Sequence, residues 1–344
     1  MRRMEKNFER TVRLPPIWRR AELYKGYSIT GSTPADTIQD TISNCDRATR
    51  HLAKRAVLSY LAIKKQESSV DETNRGRLTK DGIRIYETGD FAGMHTAGAL
   101  AARILDDITP QIVPGQTTAE LDRLITEWVS AAGAVSATIG YKGYRHASCI
   151  SVNHVVCHGI PGDKVLKDGD ILNIDVTVIV DGWFGDTSRM YVAGKPSRKA
   201  ERLMQVTHDA LMLGIEAVKP GNTFGDIGHA IQAYAEGQRM SVVRDFCGHG
   251  LGRVFHAPPN VLHYGRPGTG AVLEEGMLFT IEPMINLGRP ETKVLADDWT
   301  AVTRDKSLSA QFEHSVGVTA DGFEIFTLSP GDMFYPKSKD APNT

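Results

Sequence analysis

ILNIDVTVIVDGWFGDTSRM, residues 171–190, is the stretch on which the reading of this chain turns. Ile171, Leu172, Ile174, Val176 and Val178 give it strand character, while Asn173, Asp175 and Thr177 fall on the opposite face of a period-two ribbon. Asp181-Gly182 reads as a tight hairpin turn. With those two residues as the loop, Val180 pairs with Trp183 and Thr177 with Asp186, so Asp175 and Asp186 become diagonal neighbours on one face. Two anions then sit roughly 7 Å apart. A single exposed aspartate is usually a solvated surface residue, but like charges held this close call for a metal ion or a shared proton between them.

Outward from this hairpin, the 344 residues are 41% hydrophobic and 24% charged, an ordinary globular composition large enough for one large domain or two modest ones. No apolar run approaches the roughly 18 residues of a membrane span, and MRRMEKNFERTVRLPPIWRR lacks the apolar core of a secretory signal. Cys45, Cys149, Cys157 and Cys247 show neither a CxxC pair nor a disulfide-like spacing. The expectation is an intracellular, cytoplasmic protein without a membrane partner. The net charge of −1 conceals an asymmetry: residues 1–66 hold 14 Lys and Arg against 6 Asp and Glu, and the remainder 26 against 35.

The basic segment and its linker are read as an N-terminal extension over 1–78. Pro15-Pro16 and the GSTP cluster at 31–34 are loop chemistry, an amphipathic helix is expected from Asp36 to about Lys65, and the polar run 66–82 reads as a linker. The extension is read either as a poorly ordered tail or as a contact for an anionic partner such as ribosomal RNA. Its arginines also resemble those of an organellar transit peptide, against which Glu5 and Glu9 count. A catalytic domain is expected over 79–335 and a polar tail over 336–344. Within the body, helices are expected at 88–108, from Thr118 as cap to about Ala131, at 198–218 and at 224–236. Strands are expected at 149–156, 171–192, 243–247, 277–282, 311–318 and 323–328. Each half runs helix, helix, antiparallel strands, which predicts an internally duplicated α+β fold whose halves meet near residue 195.

The second half supplies what the paired aspartates lack. His249 lies between Gly248 and Gly250 in CGHGLGRVFH (247–256), where missing side chains let a ligand or another backbone approach, and His256 follows seven residues on. A lone histidine is more often a satisfied structural residue. Glu282 ends the apolar strand LFTIEPM (278–284), held extended by Pro283, an expensive place for an unpaired carboxylate. In SAQFEHSVGVT (309–319), Gln311, Glu313 and Ser315 share one face and Phe312 and His314 the other. Four carboxylates and one imidazole form a hard, oxygen-rich set suited to manganese, iron, cobalt or zinc. One divalent ion would leave excess negative charge; two ions sharing bridging carboxylates would balance it, and such a pair serves hydrolytic chemistry.

VVCHGIP (155–161), NIDVTV with DGWFGDTS (173–188), CGHGLGRVFH (247–256), FTIEPM (279–284) and LSAQFEH (308–314) together resemble the bacterial-type, type I methionine aminopeptidases of the pita-bread fold. The resemblance runs from about Leu78 to Pro330. It implies Asp175, Asp186, His249, Glu282 and Glu313 as ligands of two divalent ions, with Asp186 and Glu313 bridging and Glu282 also the general base. It implies that His256 hydrogen-bonds the scissile carbonyl oxygen and that His158 contacts the scissile amide or the residue after it. Tyr141, Tyr144, Cys149, Phe255 and Trp299 correspond to the pocket for the methionine side chain, whose apolar, sulfur-containing lining suits an unbranched thioether. Two positions depart from the pattern: Thr138 stands where many bacterial members carry Cys, and Arg145 where Pro is common.

The expected function is removal of the initiator methionine from nascent chains whose second residue is small, by a monomer with no DNA partner, the extension being a candidate ribosome contact. One alternative is an Xaa-Pro aminopeptidase or dipeptidase of the same fold, whose relatives carry a larger patterned N-terminal domain. The other is a non-catalytic pita-bread protein that binds ribosomes or RNA, in which ligand residues would be expected to be lost.

Overall fold

A computed structural model describes residues 76–331. The helix expected at 36–65, the tail at 336–344 and the extension up to residue 75 lie outside the described residues. Immediately after them a short hairpin pairs β1 (Arg77–Leu78) with β2 (Arg84–Ile85).

The first half opens with α1 (Phe91–Ile108) and α2 (Thr118–Ala131). Met94, Ala97, Ala101, Leu105 and Ile108 recur at helical spacing on the buried face of α1. Gly98 belongs to that face because a β-carbon there would meet the backbone of Phe326. The cap of α2 is Thr117, whose side chain accepts the Glu120 N–H, and not Thr118 as the sequence pattern implied. Thr118 instead turns its hydroxyl inward to Gly162.

Beneath these helices lies a four-stranded antiparallel sheet centred on β6 (Ile171–Val180). β7 (Trp183–Val192) follows one of its edges, and β3 (Val135–Ser136) and β4 (Ser148–Val152) share the other. The register is the expected one, Val180 opposite Trp183 and Thr177 opposite Asp186. Asp181 and Gly182 both take positive φ, as a two-residue turn matched to strand twist requires. The strand expected at 149–156 is divided, because Asn153 enters the left-handed region and its side chain bonds Asp170 and the Ile171 N–H; β5 (Val155–Cys157) then joins another sheet.

The second half repeats the plan with α3 (Arg198–Glu216) and α4 (Phe224–Gly237), both capped by side chains, Ser197 and the Thr223–Asp226 box. β9 (Gly248–Gly250), β10 (Ala257–Val261), β11 (Leu278–Ile281), β16 (His314–Val318) and β17 (Phe323–Ile325) form a five-stranded sheet ordered β10-β9-β11-β16-β17. β8 (Ser241–Val242), β12 (Met284–Asn286) and β15 (Ser309–Gln311) form one smaller sheet, and β13 (Thr292–Val294), β14 (Ala301–Thr303) and β5 another. Two expectations fail here. No strand covers 243–247, because the Asp245 carboxylate binds the N–H and hydroxyl of Thr292 and the chain bends there. The strand at 311–318 breaks at Phe312–Glu313, where the chain passes from the β12 sheet to the β11 sheet and Glu313 donates its N–H to Ser188 of β7 instead.

The two largest apolar cores among the described residues lie one under each helix pair. Ala101, Leu105, Leu121 and Ile125 pack on Leu172, Ile174 and Val176, and Leu203, Leu211, Ile227 and Ile231 pack among Phe279, Ile281 and Val316. Each fully buried aliphatic side chain contributes about 1.5–3 kcal/mol. These cores hold the polar faces of β6 and β7 against β9, β11 and the β15–β16 crossover.

Candidate metal centre

Five elements deliver five side chains. Asp175 stands in mid-β6, Asp186 on β7, His249 at the centre of β9, Glu282 one residue beyond β11 and Glu313 at the β15–β16 crossover. The glycines flanking His249 admit neighbouring backbone: a β-carbon at Gly248 would lie 2.4 Å from the Thr280 carbonyl oxygen, and one at Gly250 2.0 Å from that of Pro258. Ligand atoms of Asp186, His249 and Glu313 lie within 4.8 Å of one another. His249 Nε2 is 3.4 Å from Asp186 Oδ2 and 3.7 Å from Glu282 Oε1. Asp175 Oδ1 is buried without a hydrogen-bond partner.

The electrostatics of this cluster are those of anions awaiting a cation. Burial, and then the charges of Asp186 and Glu282, push the Asp175 carboxyl well above its ordinary range. Glu313 rises for the same reasons, burial first and its carboxylate neighbours next. Burial pushes Glu282 up to about 7. Burial works against a charged His249, yet Asp186 and Glu282 outweigh it and its pKa moves upward. His249 Nδ1 lies 3.1 Å from the Gly250 carbonyl oxygen, which can only accept, so Nδ1 is a donor and Nε2, facing the carboxylates, is the nitrogen that a cation would take once its proton is displaced. An imidazole nitrogen aimed into the cluster, an orphaned carboxylate oxygen and three carboxyls resisting ionisation together fit a divalent cation.

Hydroxyl and amide groups hold the acids in place. Thr177 Oγ1 donates to Asp186 Oδ1 at 2.7 Å, and Gln311 Nε2 to Glu282 Oε2 at 3.2 Å. Thr280 Oγ1 donates to Glu282 Oε1 at 2.8 Å while accepting the His249 N–H at 3.0 Å. The Glu282 N–H donates to Nε2 of the buried His263, whose pKa burial lowers to about 3. Thr280 was legible as the same-face neighbour of Glu282 two residues back in a strand. His263 gave no such sign.

Around the cluster stand two groups of rings. Tyr144 packs edge-on to Trp299 at 4.9 Å between centroids, its hydroxyl donating to the Ser148 carbonyl, and Cys149 is paired across the ladder with Asp175. His158 packs against Phe246 and Trp299. Tyr141, Phe255 and His256 form the second group, with Phe184 stacked on Phe255 at 5.6 Å and 11°. Tyr141, Tyr144, Phe255 and Trp299, four of the five residues expected to line the pocket, thus stand in these ring groups, while Cys149 lies opposite Asp175; Phe184 and Phe246 were not anticipated. His158 and His256 both take positive φ, 56° and 58°, a conformation that costs non-glycine residues about 1–3 kcal/mol and gathers at functional sites. Burial lowers the pKa of His158. The groups packed on His256, and after them His249, bring its pKa down to about 4, although its outer edge meets solvent.

The loop carrying Tyr141 and Tyr144 is tied down by Asp122 of α2, which accepts from the Ala147 and Ser148 N–H groups and the Ser148 hydroxyl and lies beside His146. Thr138 donates its hydroxyl to the His146 carbonyl at 2.7 Å, so its departure from the bacterial pattern serves the same loop. Arg145 is exposed.

A family model described as metallopeptidase family M24 matches residues 92–320. The methionine aminopeptidase of Rickettsia prowazekii is 58% identical over 255 residues, 74% of this chain and 98% of that protein. That of Escherichia coli strain K12 is 52% identical over 252 residues, 73% of this chain and 96% of its own. The crystal structure of the Rickettsia prowazekii enzyme superposes with a TM-score of 0.71 at 59% identity, covering 72% of this chain and all of that one.

Proposed function

This chain belongs to metallopeptidase family M24 and, within it, to the methionine aminopeptidases of the pita-bread fold, and on that premise we propose how its residues divide the work of hydrolysis. Asp175, Asp186, His249, Glu282 and Glu313 would hold the divalent ions, two in number on this reading. When bound, the ions supply Lewis acidity toward the scissile carbonyl and make water at the site a nucleophile near neutral pH. The observation that carries this reading is the convergence of Asp186, His249 and Glu313 beside an unpartnered Asp175 oxygen.

Glu282 takes the proton of the attacking water and passes it to the departing amine; Thr280 and Gln311 fix its two oxygens for that task. His256 donates a hydrogen bond to the carbonyl oxygen as it gains charge, and His158 contacts the scissile amide or the residue after it. The methionine side chain lies among Tyr141, Tyr144, Cys149, Phe255 and Trp299, and the rings beside it admit only a small second residue. The substrates are the N-termini of nascent polypeptides, a cytoplasmic location fits that substrate, and the basic extension supports contact with an anionic partner such as ribosomal RNA.

The test is methionine release from Met-Ala-Ser, Met-Lys-Ser and Ala-Pro-Ser by protein stripped with chelator and reloaded with manganese, iron, cobalt or zinc. Metal-dependent cleavage of the first peptide alone is expected. Cleavage only at the proline peptide, or of none by folded, loaded protein, overturns the reading. Removing residues 1–75 is expected to leave tripeptide hydrolysis nearly intact, as measured by the same assay.

A further inference from the structure

His256 needs a proton on the nitrogen that faces substrate, and a neutral imidazole can place its single proton on either nitrogen. The Tyr141 hydroxyl lies 2.7 Å from His256 Nδ1. Among the described residues the Tyr141 hydroxyl has no other hydrogen-bond partner, and because an imidazole nitrogen is a far better acceptor than a phenol oxygen, the favoured arrangement is O–H donating to Nδ1. We propose that Tyr141 is a positioning residue for catalysis: its hydroxyl donates to Nδ1 of His256 and so keeps the ring proton on Nε2, where it can be donated to the substrate carbonyl oxygen. The inference rests on the role given to His256 above and adds what makes that role available.

The surrounding structure holds this pair rigidly. Tyr141 opens a 3-10 turn, Tyr141–Gly143, entered through Gly140 and left through Gly143, both at positive φ. The Tyr141 N–H donates to the Thr138 carbonyl and the Tyr144 N–H to the Tyr141 carbonyl. The phenol ring rests edge-on against Phe255 at 4.9 Å and beside His256 at 5.0 Å. Phe255 is in turn stacked on Phe184. A hydrogen bond received at Nδ1 also polarises the ring and strengthens Nε2–H as a donor. The reversed tautomer would aim a lone pair at an oxygen that is becoming negative.

The experiment uses the full chain loaded with zinc, with ring-nitrogen-15 histidine, the His256 resonances being those lost in His256→Ala. In the native protein Nε2 is expected at the shift of a protonated nitrogen and Nδ1 at that of an unprotonated one. In Tyr141→Phe, which keeps the pocket's ring, the two shifts are expected to move toward each other as the tautomers mix. Turnover on Met-Ala-Ser is expected to fall about tenfold at little-changed KM and unchanged metal content. A native ring protonated on Nδ1, or a Tyr141→Phe ring with native shifts, overturns the proposal. So does a Tyr141→Phe variant whose KM rises at native turnover, since the tyrosine is then only a pocket wall. If His256→Ala itself keeps native turnover, the catalytic reading of His256 falls and takes this inference with it, whereas a crippled His256→Ala beside a native-like Tyr141→Phe overturns the inference alone.

Discussion

Asp106 and Asp186 are both buried acids, and β7 serves both in different ways. Arg189, three residues beyond Asp186 and on the opposite face of β7, places Nη1 2.6 Å from Asp106 Oδ1, and the Ser329 hydroxyl and Gly331 N–H complete that carboxylate's shell. Asp186 is only 3% exposed, yet its one ion-pair partner among the described residues is His249, with the carboxyls of Asp175, Glu282 and Glu313 around them. The first acid has its cation in the chain; the second depends on one from solution. Burial of a carboxylate is therefore a poor mark of function by itself, whereas burial among other carboxylates without a chain cation is a good one.

The largest effects separate these two acids directly. Asp106→Asn leaves Arg189 buried beside an amide and should cost about 3–5 kcal/mol in denaturant unfolding, with metal content of the folded fraction unchanged. Asp186→Asn should cut methionine release at least about a hundredfold and lower bound metal. Yet in chelator it should melt no lower than the native chain, because a repelling charge has been removed. If both variants destabilise the metal-free protein alike, the two environments are not different in kind.

Next in size is the pH dependence of the metal-free protein. Glu282, Asp175 and Glu313 all have folded-state values raised above their ordinary ones. Such acids favour folding while protonated, so their contribution is complete below the ordinary carboxylate range and is lost as pH climbs through the folded values. For Glu282 that window runs from its ordinary 4.5 to about 7, worth about 3 kcal/mol. Thermal midpoints in chelator should fall between about pH 5 and pH 8, and added divalent metal should raise them more at the upper end. A flat profile in chelator would mean that a chain group already balances the acids.

Much of this contrast could be read before any coordinates. The 171–190 hairpin declared its register because strict alternation and an Asp-Gly turn leave one pairing that keeps Ile174 and Val176 in the core and Asp175 and Asp186 together. Position by position, Thr117 displaced Thr118 as the cap because two adjacent threonines offer the same chemistry and only the inward bond to Gly162 distinguishes them. The bend at Asp245 depends on Thr292, 47 residues away, and Asp106 finds Arg189 across 83 residues. Tyr141 and His256 meet across 115 residues. Periodicity reports on neighbours in the chain, and these pairs are made only by folding.

A smaller effect tests how the site's acids are held. Thr280→Val keeps the shape of the side chain but removes the donor to Glu282 Oε1 and the acceptor of the His249 N–H. Metal affinity, measured by competition with a chelator, should weaken about 10- to 100-fold while the fold persists. Unchanged affinity would mean that the backbone of β9 and β11 alone places the two groups.

Asp122 offers a third way to keep an acid inside, and the smallest expected effect. Its Oδ1 accepts from the Ala147 N–H at 3.0 Å, the Ser148 N–H at 2.9 Å and the Ser148 hydroxyl at 2.8 Å, so backbone dipoles stand where Asp106 has Arg189. Asp122→Asn keeps an acceptor oxygen at that point and can turn its amide toward His146 Nδ1, which lies 3.1 Å from Oδ2. The change should cost less than about 1 kcal/mol in denaturant unfolding and leave KM for Met-Ala-Ser within about twofold, because the loop bearing Tyr141 and Tyr144 keeps its anchors. A loss as large as that of Asp106→Asn would show that the charge of Asp122, and not its geometry as an acceptor, secures the loop, and the three buried acids would then divide by distance to a cation alone.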